Sequence, residues 1–168
     1  MSFVQLTKHQ TGEVLHEGYF TSVKSCVEDA VAKGLTLDHI DLRRTNLVNA
    51  TLDDAQMRHA RFDGANLMGA NLSEVCFDGS TFVNADMSNS CLCFSSLHHC
   101  DFRGALFGGT DIAGAALINS IFSTSSAFTL NFRDAERFES CYFHDDDLAI
   151  DCSFSKPPVI LNGMAYDM

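Results

Sequence analysis

The chain contains no apolar run approaching the ~18 residues a membrane-spanning helix needs, and its opening stretch, MSFVQLTKHQ, is not a charged-then-apolar leader. A cytoplasmic protein with no membrane partner is expected. Basic residues are scarce: 11 Lys and Arg stand against 22 Asp and Glu, a formal net charge of −11. That balance repels phosphates and argues against direct binding of nucleic acid or an anionic membrane. Cationic partners remain, including proteins whose usual ligand is DNA, and so does the plainer reading that the acid serves solubility. A paired cysteine framework is also missing. Cys26, Cys76, Cys91, Cys93, Cys100, Cys141 and Cys152 are scattered and odd in number, which fits a reducing compartment where thiols fill core space. No phosphate loop, nucleophile elbow or HExxH motif occurs. An enzyme is not expected, nor a cofactor.

What is present is a period. Every fifth residue from Leu37 to Phe132 is apolar, and only Ala127 among them is small. The stretch DGANLMGANLSE shows the pattern, with Leu67 and Leu72 as centres, Ala65 and Ala70 two residues earlier, and Asn66 and Asn71 just before each centre. A helix at 100° per residue would scatter such centres around its circumference, and a plain strand would alternate them between faces. Neither buries them all. A coil that turns a corner once per repeat does, with the small residue making room and Asn or Asp bracing the turn.

The motif of a small residue, Asp or Asn, Leu or Phe and two mostly polar positions resembles the pentapeptide-repeat family, over residues 35–154. The resemblance implies an all-β fold, a right-handed quadrilateral β-helix with four repeats per coil. If a coil takes twenty residues, Leu42, Phe62, Phe82, Phe102 and Phe122 stack on one side, and Leu52, Leu72, Leu92, Ile112 and Phe132 on another. After Phe132 the centres slip to Phe138, Phe143, Leu148 and Phe154; the reading favoured is a bulge near Phe128, with local loosening of the coil as the alternative. Residues 1–34 read as an N-terminal cap, a hairpin around HQTG followed by a short helix ending at Gly34. Residues 155–168 read as a C-terminal cap, with a hairpin turn at Asn162-Gly163 after Pro157 and Pro158.

Charge placed on this coil is polarised. Asp53, Asp54, Glu74, Asp111 and Asp134 fall on one side, which carries a single base, Arg133, and Asp145, Asp146 and Asp147 add acid at the C-terminal end. The side bearing Arg43, Arg44, Arg61 and Arg103 is slightly basic, and the side bearing Val48, Met68, Leu106 and Phe128 has Asp86 as its only charge. The latter is a candidate contact strip for a partner or a second copy in a homodimer. His39 and His59 share a column, yet the further Cys or His ligands zinc would want are not placed nearby, so no metal site is expected. Relatives in the resembled family include inhibitors or protectors of type II topoisomerases that act as acidic DNA mimics. The resemblance thus implies a protein partner that ordinarily holds DNA, such as gyrase, or a bacterial defence nuclease complex if the protein is phage-borne and works in the host cytosol. An adaptor or scaffold using the uncharged strip is the alternative.

Overall fold

Every fifth residue of the repeat region is left-handed: His39, Arg44, Asn49, Asp54, His59, Gly64, Gly69 and Glu74 open a series of positive φ values that runs to Asn119. One such residue per repeat folds the chain through a corner. In the computed structural model, which describes residues 1–145, 150–154, 159–161 and 164–166, with side chains through His144, the corners stack. Parallel bridges join Asn46 to Asn66, Thr51 to Asn71, Gln56 to Cys76 and Arg61 to Thr81, each across twenty residues. Four five-residue sides therefore make one coil. The sides are named below by a core residue of each: the Met57, Phe62, Leu67 and Leu72 faces.

The composition of the repeat follows from this path. The Asn or Asp before each centre accepts a hydrogen bond from the backbone two residues on: Asn46 Oδ1 from Val48, Asn66 Oδ1 from Met68, Asn71 Oδ1 from Ser73 and Asp111 Oδ1 from Ala113, at 3.2, 3.1, 3.2 and 2.9 Å. These Asx turns hold the corner open for the next coil. The centres point inward, and Phe62, Leu67, Leu72, Phe82, Phe102 and Phe122 are all buried. Phe62, Phe82, Phe102 and Phe122 form a ladder of stacked rings with centroids 5.0, 5.0 and 5.1 Å apart, close to the ~4.8 Å strand spacing. Two corner hydroxyls are buried with them: Ser80 bridges Ala60 N–H and Met57 carbonyl, and Ser120 bridges Cys100 N–H and Leu97 carbonyl.

The N-terminal segment forms strands β1 (Ser2–Thr7) and β2 (Val14–Phe20), paired antiparallel, and helix α1 (Val23–Ala32). Ser22 and Ser25 close a capping box, and Cys26, Val27 and Ala30 are buried beneath the helix. The hairpin joins the coil directly: Lys8 bridges Ile40, and Asp41 N–H donates to the Thr7 carbonyl at 3.0 Å.

Higher in the coil the ladder widens into strands β3 (Ser96–His98), β4 (Asp101–Phe102), β5 (Ala116–Ile118), β6 (Ile121–Ser123), β7 (Arg137–Glu139) and β8 (Cys141–Asp145), in two parallel sheets ordered β3-β5-β7 and β4-β6-β8. Leu97 pairs with Leu117 at the twenty-residue spacing, but Leu117 pairs with Phe138 and Phe122 with Phe143, twenty-one apart. The extra residue is absorbed between Phe122 and Asp134, where a short helix α2 (Thr124–Ala127) and a 3-10 turn (Phe132–Asp134) replace the plain sides. Ala127, the weak centre, is buried in that helix and Phe128 caps it with its ring outward.

Strand β9 (Ile150–Phe154) runs antiparallel to β8, with Phe154 opposite Cys141. The parallel stack, expected to reach residue 154, is corrected to end at β8, because the backbone of 150–154 pairs antiparallel with it. Strands β10 (Val159–Leu161) and β11 (Met164–Tyr166) pair antiparallel. Pro157, Pro158 and the Asn162-Gly163 turn lie outside the described residues.

Candidate functional site

The outward residues of the coil are arranged by the same twenty-residue ladder, and their ion pairs separate the faces. On the Met57 face Asp38 meets Arg58 at 3.7 Å, Asp78 meets His98 at 3.6 Å and Glu139 meets Arg137 at 2.8 Å. On the Phe62 face Asp41 pairs with Arg43 and Asp101 with Arg103, both at 2.6 Å and both through two guanidinium nitrogens. The Arg43 guanidinium, through its hydrogen bonds, holds the Asp41 carboxyl below the usual carboxylate range. Most of the acid on these faces has a basic side chain beside it, Asp63 and Glu136 being exceptions among the described residues.

The Leu72 face differs. Asp54, Glu74, Asp111 and Asp134 are exposed and Asp53 is half-buried, and none of the five has a Lys, Arg or His within 4.0 Å among the described residues. Asp134 is held by Asn131 Nδ2 at 2.9 Å instead of by its neighbour Arg133. The four coil steps from Asp54 to Asp134 span about 19 Å, and the carboxylates are spread unevenly along them: Asp53 and Asp54 on the first coil, Glu74 on the second, none on the third, and Asp111 and Asp134 on the fourth and fifth. Asp145 is the last residue of β8; its side chain, and Asp146 and Asp147 altogether, lie outside the described residues.

At the centre of this acidic face sits a residue that the charge pattern passes over. Phe94 is 66% exposed and occupies a left-handed corner, φ 59°, in the column of Asp54 and Glu74. Its ring lies over Gly114, where an added Cβ would come within 2.4 Å of it. The legible signal is the fifth-residue slot itself, in CLCFSS, whose other non-glycine occupants on the coil are all polar.

On the Leu67 face Met68, Leu106 and Phe128 are 40%, 53% and 59% exposed. Val48 is half-buried, and Lys24 of α1 donates to its carbonyl at 3.1 Å. The strip therefore begins above the helix. The Phe62 face holds surface hollows of about 630 and 480 Å³ around Arg44, Asp63, Asn84, Arg103 and His144, a lining of mixed charge.

The histidine column is real but does not converge on an ion. His39 and His59 stack 5.0 Å apart with planes 15° from parallel, so their ring lone pairs run side by side, and His9 Nε2 is spent on the His59 carbonyl at 2.9 Å. Among the described residues no group of three or more His, Cys, Asp or Glu could hold a metal ion. Burial, together with hydrogen bonding to Cys91 and Asp111, pushes the Cys93 thiol up to about 12; it is protonated at neutral pH and a poor nucleophile.

Comparison with known proteins adds the lineage. The model of the family described as pentapeptide repeats matches in 8 copies over residues 28–64, 52–89 and 85–123, more than half of the chain. The chain belongs to the pentapeptide-repeat family. Membership implies a right-handed quadrilateral β-helix, and the four-sided, twenty-residue coil described above is of that kind. Among solved pentapeptide-repeat structures, Rfr23 from the cyanobacterium Cyanothece 51142 is 20% identical, covering 48% of this chain and 54% of its own, with TM-score 0.47. QnrB1, described as a plasmid-mediated fluoroquinolone resistance protein, is 23% identical over 62% of this chain and 51% of its own, with TM-score 0.49. The protein alr5209 from Nostoc Pcc 7120 is 17% identical over 68% of this chain and 94% of its own, with TM-score 0.35. This chain spans about half the length of the first two. A search of curated proteins returned no match. No described helix is long and apolar enough to cross a membrane.

Proposed function

We propose that this pentapeptide-repeat protein is a non-enzymatic, cytoplasmic binding module whose Leu72 face docks on a protein surface that ordinarily holds DNA. It acts as an acidic DNA mimic that inhibits or modulates a topoisomerase such as gyrase, or a bacterial defence nuclease complex. The observation that carries this reading is the contrast between faces: Asp53, Asp54, Glu74, Asp111 and Asp134 have no basic partner among the described residues, whereas the acids of the Met57 and Phe62 faces are mostly paired. Carboxylates spread along one face of the rod are ready to meet the Lys and Arg that hold phosphates, and counterion release gives the contact a steep salt dependence. Asp145, Asp146 and Asp147 extend the acid at the end of the rod. The hairpin with α1 at one end and the β10–β11 hairpin at the other serve as caps that keep coil edges from pairing with other chains.

The test is supercoiling by gyrase holoenzyme with added protein. Wild type is expected to alter it, and a variant carrying Asp53→Asn, Asp54→Asn, Glu74→Gln, Asp111→Asn and Asp134→Asn to need at least about tenfold more protein for the same effect, the loss of roughly 1.4 kcal/mol. Supercoiling unaffected by wild type, or affected equally by both, would end the reading. A second reading, an adaptor or homodimer contact, is favoured by the exposure of Met68, Leu106 and Phe128 on the Leu67 face; it predicts that Met68→Asp abolishes association while the five-carboxylate variant leaves it intact.

A further inference from the structure

Phe94 departs from its surroundings in two independent ways. Its backbone is left-handed, φ 59°, a strained region that bulky side chains avoid. All the other non-glycine residues with positive φ are His, Arg, Asn, Asp, Glu or Ser, polar side chains that solvate at the corner. The residue, moreover, is 66% exposed, so contact with Gly114 recovers only part of its apolar surface. Asn at Asn84 and Asn89 shows what the coil accepts there: each lays its Oδ1 over the glycine one coil above, Gly104 and Gly109. Stacking of the coil therefore does not require Phe at position 94.

The neighbours define what the ring is for. Half-buried Cys93, its thiol kept protonated by burial, precedes Phe94 in the chain, and the Phe94 N–H donates to the carbonyl of half-buried Ala113 at 2.9 Å. Glu74 stands one coil below in the same column, and Asp111 on the coil above, both exposed and without an ion pair among the described residues. The result is a small apolar island with a carboxylate rim, the anatomy of a binding hot spot: an aromatic anchor at the centre and charged groups at the edge. Pure phosphate mimicry has no use for such a ring. A nucleic acid is repelled by the rim, and a lipid surface by the same charge. Charge complementarity points to a cationic protein surface with an apolar recess at its centre.

We propose that Phe94 is the anchor of the Leu72 face: its ring inserts into an apolar recess of a protein partner whose Lys and Arg side chains close on Glu74, Asp111 and the neighbouring carboxylates. The anchor supplies affinity that survives added salt, and the rim supplies the salt-dependent remainder. This rests on the reading that the face takes a cationic partner.

Two synthetic peptides with equal numbers of lysines test it, one of lysine and glycine only and one in which leucines replace the glycines, titrated against the full-length protein by fluorescence anisotropy. Wild type is expected to bind the Lys/Leu peptide at least about tenfold more tightly, with the excess persisting at high salt. Phe94→Asn should remove that preference, leave Lys/Gly binding unchanged and melt at or above the wild-type temperature. Tyr19→Asn, at an exposed aromatic on the N-terminal hairpin, should preserve the preference. Equal affinity of wild type for both peptides, a preference that Phe94→Asn retains, or a lower melting point of Phe94→Asn would overturn the anchor while leaving the acidic face standing. Failure of wild type to bind either peptide at low salt would overturn both.

Discussion

Phe82 shares stacked contacts with Phe62 and Phe102 and an edge contact with Phe77, so its removal opens a void that these three neighbours cannot fill from fixed backbone positions. Phe82→Ala is expected to cost about 3–5 kcal/mol, read from the midpoint of urea unfolding, and Phe82→Asp to prevent folding because an unpaired charge would be buried. Residue positions of this kind are legible in the sequence. A period of five excludes helix and flat strand, and a twenty-residue coil then assigns each centre to a column. Phe94 was not legible as a site, because an apolar residue in the fifth slot reads as an irregularity until its left-handed backbone and exposure are known. Ion pairing was equally hidden: the ladder brings Asp38 and Arg58 together, yet Arg133 makes no ion pair with adjacent Asp134 among the described residues, a matter of side-chain direction that spacing alone does not state.

Among the elements, α1 and the hairpin depend on one carboxylate. Asp29 accepts from Lys33 Nζ and lies against His16 Nε2, both at 2.6 Å, and the first of these contacts is the main reason its carboxyl is held below the ordinary range. A lowered folded-state pKa contributes stability that is present above the unfolded value of about 3.9 and is lost as pH falls through the folded one. Wild type should therefore melt higher than Asp29→Asn at about pH 6, and the two should converge at about pH 2.5, as followed by circular dichroism; a constant difference would show that the contact contributes through packing instead. The hairpin and helix were readable from HQTG, the valine stripe and Gly34. The reversal at β9 was not, since Leu148 and Phe154 continue the apolar spacing while the backbone of 150–154 pairs antiparallel with β8. Apolar spacing reports which side chains seek a core and is silent on strand direction.

At the scale of the whole molecule, net charge matters less than where charge is left unpaired. The excess of 11 acids over bases is spread over the chain, and pairing cancels much of it on two faces. A rod with one uncompensated face offers a directional surface, which net charge by itself does not. Competition between this protein and duplex DNA for gyrase holoenzyme, measured across a salt series, separates the two ideas. The five-carboxylate variant of the Leu72 face is compared with a variant that neutralises five paired acids, Glu13→Gln, Asp38→Asn, Asp41→Asn, Asp78→Asn and Asp101→Asn, with the same change in net charge. Wild type and the paired-acid variant should displace DNA with similar potency that falls steeply as salt rises, and the Leu72-face variant should be at least about tenfold weaker. Equal weakening of both variants, or no displacement by wild type, would contradict a function located on that face.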